Sequence, residues 1–543
     1  MDKEHIKYKD LLNLFTNLKK QQLILFIICL LSITAEILLT YQVQGLVDAI
    51  VDGNEFNDLL KVFYRILFFG CLSFILTLYQ TRRWHYFRYK LINSMRYRMY
   101  KSLIKKPMTF FDKYTTGDLA SRVMNDGSSI AESAGIQILM IILNIVRVIF
   151  VMVILIHFNL KLSLIVLPLI PIYYFLLRRI NGNMRTTAKE ERQAFAKVQQ
   201  MLMENIKGIR DIVTFNKYEY FSDIFNKALN KEYFSKLKKI VNCQVLMYAL
   251  NSVMVIFLPI SILMFGSFLS FKGEVSIGTL IAFYTYLNKL VEPIGNLADS
   301  YQGSRMALGS ADRVYDFIFD NAKDESTGSL FKEEFNSLNV NIESFSWDTK
   351  EVLKDLSFTL AMGDRLFIRG ESGKGKSTLL KLIMNFYSNY KGEITINESS
   401  VTSINKSSFY KNVMELPQEP FIFEGSIREN LCLGDEFSLD EINEACKVAC
   451  IDSLINEKGL DYNLTESGFN ISGGQKQRLS LARVLLRKPK VLILDEATSA
   501  LDKETEEKLL NNLNEFLKKN NMSLISVSHN DKIKEICNKE LVL

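Results

Sequence analysis

Six stretches of about 20 mostly apolar residues constrain this chain more than anything else in it. They run roughly over Leu23–Gln44, Leu59–Tyr79, Ile136–His157, Leu160–Leu177, Leu246–Leu269 and Ile277–Ile294. A stretch of that length spans a hydrocarbon layer as a helix, because only a helix or a closed barrel satisfies its backbone polar groups there. The third and fourth run almost together and divide at His157-Phe158-Asn159, a short polar hairpin. The sixth is the least apolar, with Asn288, Lys289 and Glu292 in its second half. With 543 residues the chain exceeds one ordinary domain. Its mean hydropathy of +0.07 averages an apolar first part, to about Asp324, and a second part that reads as a soluble enzyme.

Loop charges orient the spans. Arg82, Arg83, Arg88, Lys90, Arg96, Arg98, Lys101, Lys105 and Lys106 lie between spans two and three, and Arg178, Arg179, Arg185, Lys189 and Arg192 between spans four and five. The opposite loops are short and poor in positive charge, as in Val51-Asp52-Gly53-Asn54-Glu55. Positive-inside logic places both termini and both long loops in the cytoplasm. Those loops hold few Gly or Pro, so spans two to five are expected to continue as helices beyond the bilayer. The net charge of +6 is spread, not gathered, which fits basic cytoplasmic loops and no nucleic-acid partner. Residues 1–22 are too charged for a signal peptide and read equally as a surface helix, with Leu11, Leu12, Leu14, Phe15 and Leu18 near one face, or as a solvated leader. Seven cysteines stand singly, and Cys446 and Cys450 are expected on one helix face, with no Cys/His set for zinc. Glu36, Asn144, Arg147, Asn251, Asn288, Lys289 and Glu292 are costly inside spans. They read either as a hydrated substrate path or as structural pairing and interfacial placement, the latter favoured for Lys289 and Glu292.

The second part carries phosphate chemistry. Gly370-Glu371-Ser372-Gly373-Lys374-Gly375-Lys376-Ser377, with Thr378 after it, fits G-x-x-x-x-G-K-[ST] between an apolar strand (Leu366-Phe367-Ile368) and an apolar helix (Leu379–Ile383). Glycines let backbone N–H groups surround phosphate oxygens, and the helix start adds its positive dipole end. Lys376 supplies a charge to the β- and γ-phosphates, and the Ser377 hydroxyl suits Mg²⁺. Val491–Leu494 reads as a buried parallel strand ending in Asp495 and Glu496. Nucleotide sites lie at such strand ends, so Asp495 is placed for the Mg²⁺ shell and Glu496 to polarise an attacking water. Ile471-Ser472-Gly473-Gly474-Gln475-Lys476-Gln477-Arg478 opens a helix with another phosphate-suited terminus.

That last segment resembles the signature of the ABC transporters, with Ile471 where Leu is usual. The resemblance implies that Ser472, Gly473, Gly474 and Gln475 complete the ATP site of a partner half. Other motifs match the family in order. Trp347 resembles the aromatic that stacks on adenine, a core Trp being the alternative. Gln418 resembles the loop glutamine joining Mg²⁺ to the membrane domain. Glu466 stands where exporters carry a cross-subunit contact, Asp502 in the loop joining two ATP sites, and His529 resembles the switch histidine beside Glu496. The segments Phe110–Arg122 and Glu204–Arg210 resemble those that hold or adjoin the coupling helices.

The fold implied is an α-helical six-span transmembrane domain (1–320), a linker (321–335) and an α/β P-loop ATPase domain with an ABC signature helical subdomain (336–543). The family usually adds a hairpin and one or two helices beyond Leu543, so a short C-terminus is expected. No peptidase-sized domain is expected before the spans. The resemblance implies ATP-driven export from the cytoplasm of a bacterium across its plasma membrane. It also implies ATP and Mg²⁺ as cofactors, and a second half-transporter as partner, a homodimer first since no motif is degenerate. The cargo reads as a peptide, a lipid or another amphipathic small molecule. Rival readings are an ATP-gated channel or sensor, and the intact half of a heterodimer.

Overall fold

The structure, a computed structural model, describes residues 19–51, 55–314, 329, 335–347, 350–371, 373–496, 501–528 and 531–543. Five of the helices described are long and apolar enough to cross a membrane: α1 (Lys19–Val51), α2 (Phe56–Leu103), α3 (Thr116–Phe158), α4 (Leu160–Lys207) and α5 (Tyr218–Phe271). The sixth expected span is helical too, inside α6 (Ile277–Arg313). It stands apart from the five because Asn288, Lys289 and Glu292 lower its apolarity. At 1.5 Å per residue the 48-residue α2 is about 72 Å long, more than twice a hydrocarbon core, so the helices do extend well beyond a bilayer.

The hairpin between spans three and four forms where the polar residues stand. α3 ends at Phe158, and Asn159 turns extended and caps α4, its Oδ1 accepting from Leu162 N at 3.0 Å. α3 loosens into π-helical turns at Arg122–Asp126 and Ser133–Gln137. At Gly135 a Cβ would lie 2.6 Å from Leu91 Cδ1, so the missing side chain lets α2 and α3 approach closely. Val151, Leu155, Leu162, Tyr173, Ile262, Phe283 and Tyr286 form the core of this bundle. Tyr286 donates to Ile37 O at 2.8 Å. Leu31, Phe68, Ile75, Val153 and Phe268 point outward and exposed, as residues covered by lipid tails do.

The chain divides into two compact units, Met1–Ile104 with Thr116–Asp320, and Lys105–Thr115 with Asn321–Leu543. In the second unit β1 (Ser337–Trp347), β2 (Lys350–Ala361), β4 (Lys391–Ile396) and β5 (Ser399–Ser400) make an antiparallel sheet in the order β2-β1-β4-β5. A five-stranded parallel sheet has the order β11-β3-β10-β9-β6, from β3 (Arg365–Arg369), β6 (Val413–Leu416), β9 (Val491–Asp495), β10 (Ser523–Val527) and β11 (Lys539–Val542). Gly425–Ser426 (β7) and Asn463–Leu464 (β8) pair separately. Val491–Leu494 and all of β10 are buried, which is why they read as unbroken apolar runs. The last strand, β11, pairs along β3 at the sheet edge.

One expectation fails. Cys446 and Cys450 are both buried but do not share a helix face, because the helix Leu439–Val448 ends before Cys450, whose φ of +55° lies in the left-handed region.

Candidate functional site

The sheet order gathers the phosphate chemistry. β3 leads into the Gly370–Gly375 loop and helix α7 (Lys376–Ile383), and β9, one strand beyond β10, ends at Asp495. Gly373 and Gly375 have φ of +84° and +93°, which residues with a Cβ rarely adopt. At Gly375 a Cβ would also lie 2.8 Å from Leu353 Cδ2. Such positive-φ turns are the kind that let backbone N–H groups curl around a phosphate. Lys376 is 7% exposed and donates to Gly370 O at 2.5 Å and Glu371 O at 3.1 Å. Its ammonium is thus held at the loop mouth. Ser372 lies outside the described residues, and Lys374 is exposed.

Two paired carboxylates follow. The Asp495 carboxyl takes a hydrogen bond from Ser377. Burial, and then the neighbouring Glu496, push Asp495 above the usual carboxylate range, against the Ser377 bond, Lys381 and Lys376. Glu496 sits at φ +50°, and its backbone N donates to Val527 O at 2.9 Å. This left-handed turn aims its carboxylate away from β9, where Gln418 Nε2 donates to Glu496 Oε2 at 2.7 Å. The hydroxyl of Ser377, the carboxylate of Asp495 and the amide oxygen of Gln418 are the hard oxygen donors that Mg²⁺ prefers.

Trp347 keeps 37% of its surface exposed, too much for a core residue, and its indole N–H donates to Thr378 Oγ1 at 3.3 Å. Its edges meet Phe345 and Tyr387, with ring centroids 5.2 and 4.8 Å away. Helix α8 (Gly473–Leu485) begins with a capping box: Gln475 N donates to Ser472 Oγ at 3.2 Å, and Ser472 N to Gln475 Oε1 at 2.8 Å. Asp502 caps α9 (Lys503–Lys519), and the Thr505 N–H, 2.9 Å away, holds its carboxyl below its ordinary range. Glu466 is exposed in a short turn before the signature. His529 lies outside the described residues.

Three residues escaped the sequence reading. Gln477, inside the signature run, donates to Gln418 O at 3.3 Å and braces that loop. Arg483, one turn from the end of α8, donates to Phe421 O at 3.0 Å and Asn430 O at 2.7 Å. Glu415 on β6 is pushed up to about 7, chiefly by burial and then by Asp495, with Lys381 opposing. Only Gln477 and Arg483 stood beside a motif. Nothing in a strand of the pattern Val-Met-Glu-Leu marks Glu415 as facing another carboxylate.

The segment Lys105–Thr115, early in the chain, belongs to this same unit. Asp112 accepts a hydrogen bond of 2.6 Å from Tyr387 Oη. Burial, and then Asp112, push the Tyr387 hydroxyl up to about 12. The second segment, Glu204–Arg210, is broken by Gly208, where α4 ends and Ile209–Thr214 begins a new helix.

Comparison with known proteins agrees on both halves. Residues 23–294 match the family model of the ABC transporter transmembrane region and residues 353–499 that of the ABC transporter. The chain is 29% identical over 456 residues to a Bacillus subtilis putative multidrug export ATP-binding/permease protein, covering 82% of this chain and 78% of that one. It is 29% identical over 526 residues to the Lactococcus lactis lactococcin-G-processing and transport protein LagD, covering 93% of this chain and 72% of LagD. A bacterial Atm1-family ABC exporter solved with ATP bound has the same fold, with a TM-score of 0.81 at 23% identity over 97% of this chain and 93% of that one. A helical membrane region fused to a complete phosphate loop, acidic strand end and signature helix leaves one assignment: the chain belongs to the ABC transporters, as an exporter-type half-transporter of the membrane that uses ATP to move its substrate out.

Proposed function

We propose that two copies of this chain pair head to tail and form two ATP sites, each with one copy's phosphate loop and the other's signature. The observation that supports it best is the 2.7 Å bond from Gln418 to Glu496 beside the Ser377–Asp495 pair, in a chain with no degenerate motif. In this reading the domains span 1–320 and 336–543, joined by 321–335. Trp347 stacks on adenine, while Lys376 and the loop N–H groups of residues 370–378 hold the phosphates. Ser472, Gly473, Gly474 and Gln475 of the opposite copy close over them, and Asp502 lies where the two sites meet. Ser377, Asp495 and Gln418 hold Mg²⁺, which when bound neutralises charge on the phosphate oxygens. Glu496, set by Gln418 and by His529, takes the proton of the attacking water.

Closure of the ATPase pair is favoured because nucleotide adds contacts only in the closed state. The Asp112–Tyr387 bond supports a route from that closure to the first cytoplasmic loop. The ATPase and both termini face the cytoplasm of a bacterial cell. The cargo is a peptide or an amphipathic compound, a reading supported by the likeness to LagD and by the polar groups within the spans. ATP-driven uptake by inside-out vesicles holding this chain alone tests the proposal, with a peptide mixture and lipophilic dyes offered together. Glu496→Gln lowers turnover by about 10²-fold or more while ATP still binds. Near-normal turnover in that variant would falsify the role of Glu496.

A further inference from the structure

Inside the membrane unit three charged side chains from three spans converge. Arg147 on α3 donates to Glu36 Oε2 at 2.6 Å, and Lys289 on α6 donates to Glu36 Oε1 at 2.7 Å. The triad joins two cations to one carboxylate, so it carries one uncompensated positive charge. A charge at this depth is expensive unless it meets a partner or a hydrated space. Glu36 does not face lipid. With 3.6 residues per turn it lies about 180° around α1 from the exposed row Ile27, Leu31, Leu38 and Tyr41. Its side chain is nonetheless 33% exposed, and those of Arg147 and Lys289 are each 19% exposed, so the cluster opens on the side away from that row.

A second observation points the same way. Asn144, one turn before Arg147 on α3 and 7% exposed, has an amide N–H group with no hydrogen-bond acceptor. A buried donor left unmatched is costly, because the water it gave up is not replaced. One surplus positive charge and one idle donor ask for the same complement, an anionic oxygen. Glu292, a turn further along α6, is exposed and pairs with neither cation.

We infer that Glu36, Arg147, Lys289 and Asn144 form an anion-recognition site on the translocation path, and that the exported cargo is an amphiphile carrying a carboxylate there. This rests on the exporter reading and names its substrate class. Glu36 holds the two cations apart and half neutralised, so that an anion is bound and still released.

The test uses the full chain in lipid nanodiscs without nucleotide, and reads direct binding of labelled probes. One pair is an N-acetylated hydrophobic nonapeptide as its free acid and as its C-terminal amide. The other is dodecanoate and dodecanamide, so the two pairs tell a peptide carboxylate from a fatty one. The acid of at least one pair binds about tenfold more tightly than its neutral form. Lys289→Met removes the surplus charge and brings the ratio to within about twofold. Glu36→Gln doubles the surplus and raises the ratio. Arg147→Met gives the same result as Lys289→Met and serves if that variant does not fold. If the triad only clasps three helices, all the variants melt earlier and the ratio does not move, which overturns the inference. A wild-type ratio near one in protein that still pumps overturns it too, and leaves the exporter standing. The expected ratios without ATP-driven uptake of the acid support the site and overturn the transport reading.

Discussion

Asp495 and Glu496 adjoin in the chain yet enter different bonds, one to Ser377 and the other to Gln418. The left-handed φ of Glu496 separates them, and the proposed mechanism uses that separation, with one carboxylate for a cation and the other for a water. Glu415 crowds the same strand ends. Its raised value means the folded protein binds a proton that the unfolded chain releases. The resulting contribution to stability is complete below about 4.5 and is lost as pH rises through about 7. Asp495, also raised, acts in the same direction. Glu415→Gln therefore leaves nucleotide-free protein about as stable as wild type at acid pH. At pH values well above 7 the variant is more stable, by up to about 3 kcal/mol. Melting temperatures across that range check this, and a constant difference at every pH would reject it.

Among the elements, the segment Lys105–Thr115 behaves unlike its sequence neighbours, since it belongs to the ATPase unit and not to the bundle. It is held there in part by a single hydroxyl, that of Tyr387, whose ring also packs edge-on against Trp347. Tyr387→Phe keeps the ring and removes the bond to Asp112, at a cost of about 1 kcal/mol. Nucleotide affinity then changes by less than about threefold, because the Trp347 contact survives. Cargo-stimulated ATPase activity falls toward the basal rate. Comparing stimulated with basal hydrolysis checks this, and an unchanged ratio means the bond carries no coupling.

For the whole molecule, one chain holds one phosphate loop and one signature, so the two-site reading demands a second copy. Lys376→Ala disables the first and Ser472→Ala the second. Neither variant alone retains an intact composite site. When the two are mixed and reconstituted, half of the dimers are mixed, and each of these regains one site, so about a quarter of wild-type hydrolysis returns. ATPase assays on the mixture check this. No recovery would mean that each site is built within a single copy.

Much of this is legible in the sequence. The spans, the hairpin at Asn159, the phosphate loop, the acidic strand end and the signature helix each arise from local rules: apolar length, a cap, a glycine turn, a buried parallel strand. Such rules act within about a helical turn or a strand, so sequence alone carries them. What stayed hidden depends on partners far along the chain. Glu36 meets Lys289 across 253 positions, Tyr387 meets Asp112 across 275, and Gln418 meets Glu496 across 78. Cys446 and Cys450 do not share the helix face expected of them because the helix ends at Val448 and Cys450 takes a left-handed φ. The sequence by itself determined which chemistry is present and on which elements it stands. Only the tertiary structure decided which charges face one another, because burial and electrostatic pairing are properties of neighbours in space.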